Sequence, residues 1–388
     1  MTHDPDDIDR LIVELNSSVD MQSASLVRGG NTSRLEQWLR LLGARNGSDL
    51  LLVAGAPPAI RLDGKVITLA EGPLDGVDIE DAVLPALAPH AQRLYRVDRI
   101  ADASFRIAGV GRFRINLHRE RGRAAATVRL LPTRVPRLST LALPPTVELL
   151  AQLPRGLVLL GGPTGSGKTT TLAAIVEEIN RRDARHIVTI EDPIEYEHQH
   201  HASLIEQVEI GIDAPDFPTA LRAALRQAPD VIVVGEMRDP ETMRIALAAA
   251  ETGHLVLSTV HTTDVGSAVS RIADSFPAER QNTIRQELAM ALSAVLTQTL
   301  LPRIGGGLVP AAELLMVGYG TRQHIRKNAL QHLHQEITIT RRFGSVTLEE
   351  SLARLVRDGL VEWRDAHARA VHPDELERLL GSPKTNRE

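Results

Sequence analysis

The chain of 388 residues contains no cysteine, which excludes disulfides and every thiolate-ligated zinc or iron–sulfur centre and fits a reducing compartment. Aromatic side chains make up only 3% of it. Any core must therefore be filled by Leu, Ile, Val and Ala, and few rings are left as stacking platforms for single-stranded nucleic acid. No apolar run reaches the roughly 18 residues of a membrane-spanning helix, and the N-terminal MTHDPDDIDR is acidic where a signal peptide is basic. An excess of positive charge is also missing. A net charge of -5 and a pI near 6.3 argue against a protein built to neutralise a phosphate backbone, so stable nucleic-acid binding is not expected. These absences together describe a soluble, cytoplasmic protein without an integral membrane segment.

The length suggests two compact units. Residues 1–34 hold an acidic start, a short amphipathic stretch with Ile8, Leu11, Ile12 and Leu15, and the polar VRGGNTS, and read as a flexible extension. From 35 to 133, short strand-like runs recur between turn signals, among them SDLLLVAG, APPAIRLDGKVITLA with a hairpin signal at Asp63 and Gly64, and RFRINLHRERGRAAATVRLL. This spells an α+β domain. The segment LPTRVPRLSTLALPP, with four prolines in fifteen residues, reads as a linker over 134–146. Residues 147–375 then alternate apolar runs with helical spacing, which implies βαβ units and a largely parallel sheet, and 376–388 read as a flexible tail.

One loop in the second unit carries chemistry. GLVLL (156–160) reads as a buried strand, and Leu172, Ile175, Val176 and Ile179 fall at helical spacing, so GGPTGSGKTTT sits at a strand-to-helix transition. The glycines Gly162, Gly165 and Gly167 let the backbone bend so that its N–H groups converge on phosphates at a helix N-terminus. Thr164, Ser166 and Thr170 belong to the same cradle; Lys168 reaches the outer phosphates, and the Thr169 hydroxyl ligates Mg²⁺. The G-x-x-x-x-G-K-T match is complete and lies in the context it requires, which points to ATP and Mg²⁺. Acids follow two later apolar strands: EDPIEY, with Glu195, after HIVTI, and Glu236 after VIVV. Carboxylates at strand C-termini are placed to hold a metal or activate water; solvated strand ends are the plainer alternative.

GPTGSGKTT, TIEDPIEY, VGEMRDPET and AAETGHLVLSTVHTTD together resemble the PilT family of type IV pilus retraction (twitching motility) ATPases within the secretion-ATPase superfamily. The resemblance implies a PAS-like N-terminal domain, a RecA-like ATPase domain and a homohexamer acting on an inner-membrane platform protein of a pilus machine, to which the motor docks peripherally. It also implies that Glu195 is the general base, that Glu236 serves water and Mg²⁺, and that His254 and His261 form a box around the nucleotide. On spacing alone each histidine reads as structural, and because they bracket one strand no single metal takes both. The cluster EHQHH (197–201) fits no zinc spacing and reads as a solvated loop.

In GRFRINLHRERGR, apolar residues alternate with Arg112, Arg114, Asn116 and His118, which gives one buried and one basic face. On pattern alone that face is solvated. The resemblance implies that Arg114, Arg121 and Arg129 meet the nucleotide of a neighbouring subunit. Two departures from the family pattern are SDLLL at 48–52 and GTRQHIRKNAL at 320–330. A related type IV or type II secretion ATPase, and a RecA-like nucleic-acid translocase, remain as alternatives.

Overall fold

In a computed structural model, which describes residues 32–62 and 64–381, the chain divides at Pro132 into two compact units. The amphipathic stretch at residues 8–15, turn residue Asp63 and the end of the expected tail lie outside the described residues.

The first unit runs α1 (Thr32–Ala44), β1 (Asp49–Leu52), β2 (Ala59–Leu62), β3 (Lys65–Thr68), α2 (Gly76–Val83), α3 (Pro89–Asp98), β4 (Ala101–Ile107), β5 (Gly111–Glu120) and β6 (Arg123–Leu130). Its six strands form an antiparallel sheet in the order β3-β2-β1-β6-β5-β4. Leu35, Leu39 and Leu42, one helical turn apart on α1, share a core with Phe113, Ile115 and Leu117, the inward residues of β5. Helix α1 begins before residue 35, a correction to the extension boundary; its buried leucines draw that segment onto the sheet. Strands β5 and β6 are joined by Arg121 and Gly122, both with positive φ, as a two-residue hairpin with the native twist demands.

The second unit contains β7 (Gly156–Gly161), α4 (Lys168–Arg182), β8 (His186–Glu191), β9 (Leu204–Glu209), α5 (Phe217–Ala224), β10 (Val231–Val234), α6 (Pro240–Glu251), β11 (Leu255–Val260), α7 (Val265–Asp274), α8 (Ala278–Ala291), β12 (Leu292–Pro302) and β13 (Leu308–Met316). Five short helices follow: α9 (Tyr319–Arg326), α10 (Leu333–Ile339), α11 (Leu348–Arg357), α12 (Trp363–Arg369) and α13 (Pro373–Leu380). The seven-stranded sheet has the order β13-β12-β7-β11-β10-β8-β9, parallel throughout except for the β12–β13 pair. Central strands are buried on both faces. Leu157 and Leu159 of β7 enter the core shared with α6, α7 and α8, whereas Val158 and Leu160 enter the core shared with α4. That is why these strands read as continuous apolar runs.

Two boundary expectations are corrected. Much of the proline-rich segment is packed rather than free: Leu138 and Leu143 enter the α4-side core, and Arg354 donates to the Ala142 carbonyl. Helix α13 also runs past residue 376, because Leu376 is wholly buried against α11 residues such as Leu352. Among the described residues, no helix is long and apolar enough to cross a membrane.

Candidate active site

The glycine-rich loop joins β7 to α4. Gly162, Gly165 and Gly167 all have positive φ, which lets the chain coil back beneath the helix N-terminus. Gly167 is the N-cap of α4 and no side chain caps it, so the first amides of the helix keep their donors for a ligand. The Ser166 hydroxyl is buried without a partner. Lys168 is 93% buried, and its Nζ donates to the carbonyls of Gly162 (2.8 Å) and Pro163 (2.9 Å). Burial lowers the Lys168 pKa, and the negative charge of Glu236 partly offsets this. A desolvated ammonium beside unspent amides is an anion site by construction.

The strand order then sets a row along the C-terminal edge of the sheet. Next to β7 is β11, then β10, then β8. The loop, His261, Glu236 and the Glu191–Glu195 segment therefore follow one another across the edge. His261 Nε2 lies 3.1 Å from Glu236 Oε1, and its Nδ1 lies 3.5 Å from Thr164 Oγ1, so the ring bridges the acid to the loop. Burial acts to raise the Glu236 carboxyl, but the hydrogen bond and charge of Arg238, at 2.8 Å, together with His261, outweigh it and hold the group below the usual carboxylate range.

Burial pushes the Glu191 carboxyl up, against hydrogen bonds from Thr189 and Gln207. Beside Glu195, Tyr196 is buried and its hydroxyl is 3.0 Å from Thr170 Oγ1, which ties the acidic segment to the first turn of α4. The EHQHH loop is largely exposed, as expected, but it is also anchored to α4. His198 and His201 lie 3.4 and 3.1 Å from the buried Glu177 of α4, and Asn180 binds the Gln199 carbonyl. A buried carboxylate and amide on α4 need partners, and this loop supplies them.

One expectation about the site, the place of His254, is corrected by its geometry. His254 precedes β11 at the opposite end from the loop: its carbonyl accepts from Gly156 N–H and its Nδ1 lies 3.0 Å from the Ala249 carbonyl. Within one chain it closes the end of α6 and is separated from Gly162 by the length of a strand. The three arginines do not form one cluster. Arg114 and Arg129 are directly paired across β5 and β6, with Arg114 on Asp102 (3.4 Å) and Arg129 on Asp49 (2.8 Å). Arg121 sits at the hairpin tip, roughly 20 Å along the strand, beside Glu120.

Arg238, Tyr196 and Gln298 were not singled out from sequence, although Arg238 and Tyr196 stand inside the quoted motifs. Among the described residues no group of three or more His, Cys, Asp or Glu side chains is arranged to hold a metal. The Thr169 hydroxyl and the Glu236 carboxylate are oxygen donors, the kind that magnesium takes.

A largely parallel sheet that passes from an interior strand through such a loop into a helix, with carboxylates and a histidine along the same edge, defines a P-loop nucleoside triphosphatase. The chain belongs to the type II/IV secretion system protein family, whose profile matches residues 124–365. It is 39% identical over 342 residues to the type IV pilus retraction ATPase PilT of Pseudomonas aeruginosa, a match covering 88% of this chain and 99% of that one. It is 40% identical over 325 residues to a twitching motility protein of Neisseria gonorrhoeae, covering 84% and 87%. The crystal structure of the pilus retraction motor PilT with bound ADP superposes with a TM-score of 0.80 at 40% identity, covering 90% of this chain and all of that one. The fold class and family implied by the motifs are those found, and the enzyme class is ATPase.

Proposed function

We propose that this chain is the subunit of a homohexameric motor that couples ATP hydrolysis to rotation of its two units and retracts a type IV pilus, docked from the cytoplasm onto an inner-membrane platform protein. The observation that carries this reading is the linked edge of the second unit, where His261 joins Glu236 to Thr164 of the phosphate loop. Similarity to retraction and twitching proteins over nearly their whole length supports the pilus assignment.

In this reading the amides of Gly165 to Thr170 cradle the phosphates. Lys168 moves its donors from the Gly162 and Pro163 carbonyls to phosphate oxygens. Thr169 and Glu236, with the phosphates, would hold magnesium, which would supply charge neutralisation. Glu195 takes a proton from the attacking water as its oxygen bonds to the γ-phosphorus, and the bond to the leaving ADP oxygen breaks. Glu236, kept ionised by Arg238 and His261, orients that water. Arg114 and Arg129 of a neighbouring chain neutralise the phosphoryl charge, so that turnover waits on ring assembly; Arg121, at the hairpin tip, makes a separate contact.

The test is complementation of a strain lacking its own retraction ATPase. The wild-type gene restores twitching and Glu236→Gln, expressed equally, does not. Twitching restored by Glu236→Gln, or by neither gene, overturns the assignment.

A further inference from the structure

Strand β12 does more than extend the sheet. It pairs in parallel with β7 as far as Thr297 opposite Gly161 and then continues to Pro302 beside the phosphate loop, braced on its other edge by β13 through Gln298 opposite Ala312. The loop is built against this rail. A Cβ on Gly162 would lie 2.6 Å from the Gln298 carbonyl oxygen, and one on Gly167 would lie 3.1 Å from Gln298 Nε2. Gln298 is 96% buried, and its Nε2 donates to the carbonyl of Ser166 at 2.6 Å. The orientation of the amide follows from chemistry, since a carbonyl oxygen cannot face another carbonyl oxygen at that distance; only the nitrogen fits there.

This bond fixes more than the Ser166 oxygen. The Ser166–Gly167 peptide is trans and planar, so its C=O and its N–H point in opposite directions. Holding the carbonyl against β12 aims the Gly167 N–H away from β12 and into the loop. Gly167 caps α4, so that N–H has no intrahelical acceptor. We infer that Gln298 is a positioning residue for nucleotide binding: it locks the Ser166–Gly167 peptide so that the Gly167 N–H is presented to phosphate before the ligand arrives.

This inference rests on the reading of the loop as the ATP site and adds to it a residue outside the loop motif, from the strand on the side away from Glu236. Without the glutamine donor the peptide plane is free to turn, and its reorientation opposes each binding event. The loss falls equally on ground and transition states, so it appears in KM and leaves kcat nearly unchanged. A residue that merely filled the core would instead lower thermal stability and the active fraction, leaving KM where it was.

The experiment is calorimetric titration of MgADP into wild type, Gln298→Met, Gln298→Leu and Lys168→Ala, with KM and kcat for ATP and the melting temperature without nucleotide measured on each. Methionine keeps the length and volume and lacks the donor. The expected result is about tenfold weaker MgADP binding and a similar rise in KM for Gln298→Met, with kcat within about twofold. Gln298→Leu, which has no polar hydrogen to donate, is expected to weaken binding to a similar degree, and it carries the test if the methionine variant does not fold. Wild-type affinity and KM in a folded Gln298 variant, or a fall in kcat with KM unchanged, overturns the inference. Failure of wild type itself to bind MgADP, or binding that survives Lys168→Ala, would instead overturn the reading of the loop.

Discussion

Glu313, on β13, shows how one residue can oppose the fold that contains it. It is lodged beneath α7, α10 and α11; burial pushes its carboxyl up to about 7, helped by the charges of Glu349, Asp264 and Glu375 and opposed by a backbone hydrogen bond from Val265. His334 lies 4.0 Å away. The folded chain keeps a proton that the unfolded chain sheds near pH 4.5, so stability falls as pH rises between about 4.5 and 7 and the penalty is constant above that range. Its size is about 3 kcal/mol. Glu313→Gln should therefore match wild type near pH 4.5 and be more stable by up to about 3 kcal/mol at pH 8, as read by denaturant unfolding. Equal stability at both pH values would show that this carboxyl titrates normally. The histidines give the opposite lesson at this scale. Seven residues separate His254 from His261 in the chain; parallel strand direction puts one at each end of the sheet, and only His261 meets the loop.

At the scale of elements, the loop owes its shape to two different constraints. Gly165 has positive φ and open space around it, whereas a Cβ on Gly162 would lie 2.4 Å from Ser166 Oγ and 2.6 Å from the Gln298 carbonyl oxygen. Gly165→Ala should cost only the left-handed conformation, about 1–2 kcal/mol. Gly162→Ala should cost about 3 kcal/mol or more, since backbone of β12 has to move. Equal losses in denaturant unfolding would show that β12 does not crowd the loop. Strands β7 and β10 were legible because burial on both faces makes them unbroken apolar runs beside glycine or charge, and β8 and β11 because only Thr189 and the Ser258–Thr259 pair interrupt theirs. The β12–β13 hairpin was not, because SAVLTQTLLP mixes Thr and Gln into its buried positions, even though the three glycines at 305–307 mark its turn. Gln298 was hidden for the same reason: its partner is a backbone carbonyl 132 residues away in sequence. Likewise, the polar EHQHH reads as an exposed loop, which it largely is, and nothing in it tells that Glu177 and Asn180 lie buried beneath it.

At the scale of the whole molecule, the two units divide the work. The second unit holds the loop, Glu195, Glu236 and His261 in one chain, while Arg114 and Arg129 stand on the β5–β6 face of the first unit, already paired with Asp102 and Asp49. The Arg114–Asp102 pair is open to solvent on both sides, and an exposed ion pair of this kind is weak enough to exchange for phosphate contacts; Asp49 is buried, and Arg61 at 3.5 Å stays on it when Arg129 turns away. The measurement that tests the account most directly is ATP hydrolysis per chain against protein concentration, for wild type and Arg114→Ala. The account predicts a wild-type rate that climbs as rings assemble and then saturates, and an Arg114→Ala rate that stays at least tenfold lower at every concentration. A rate that is independent of concentration and survives Arg114→Ala would contradict it.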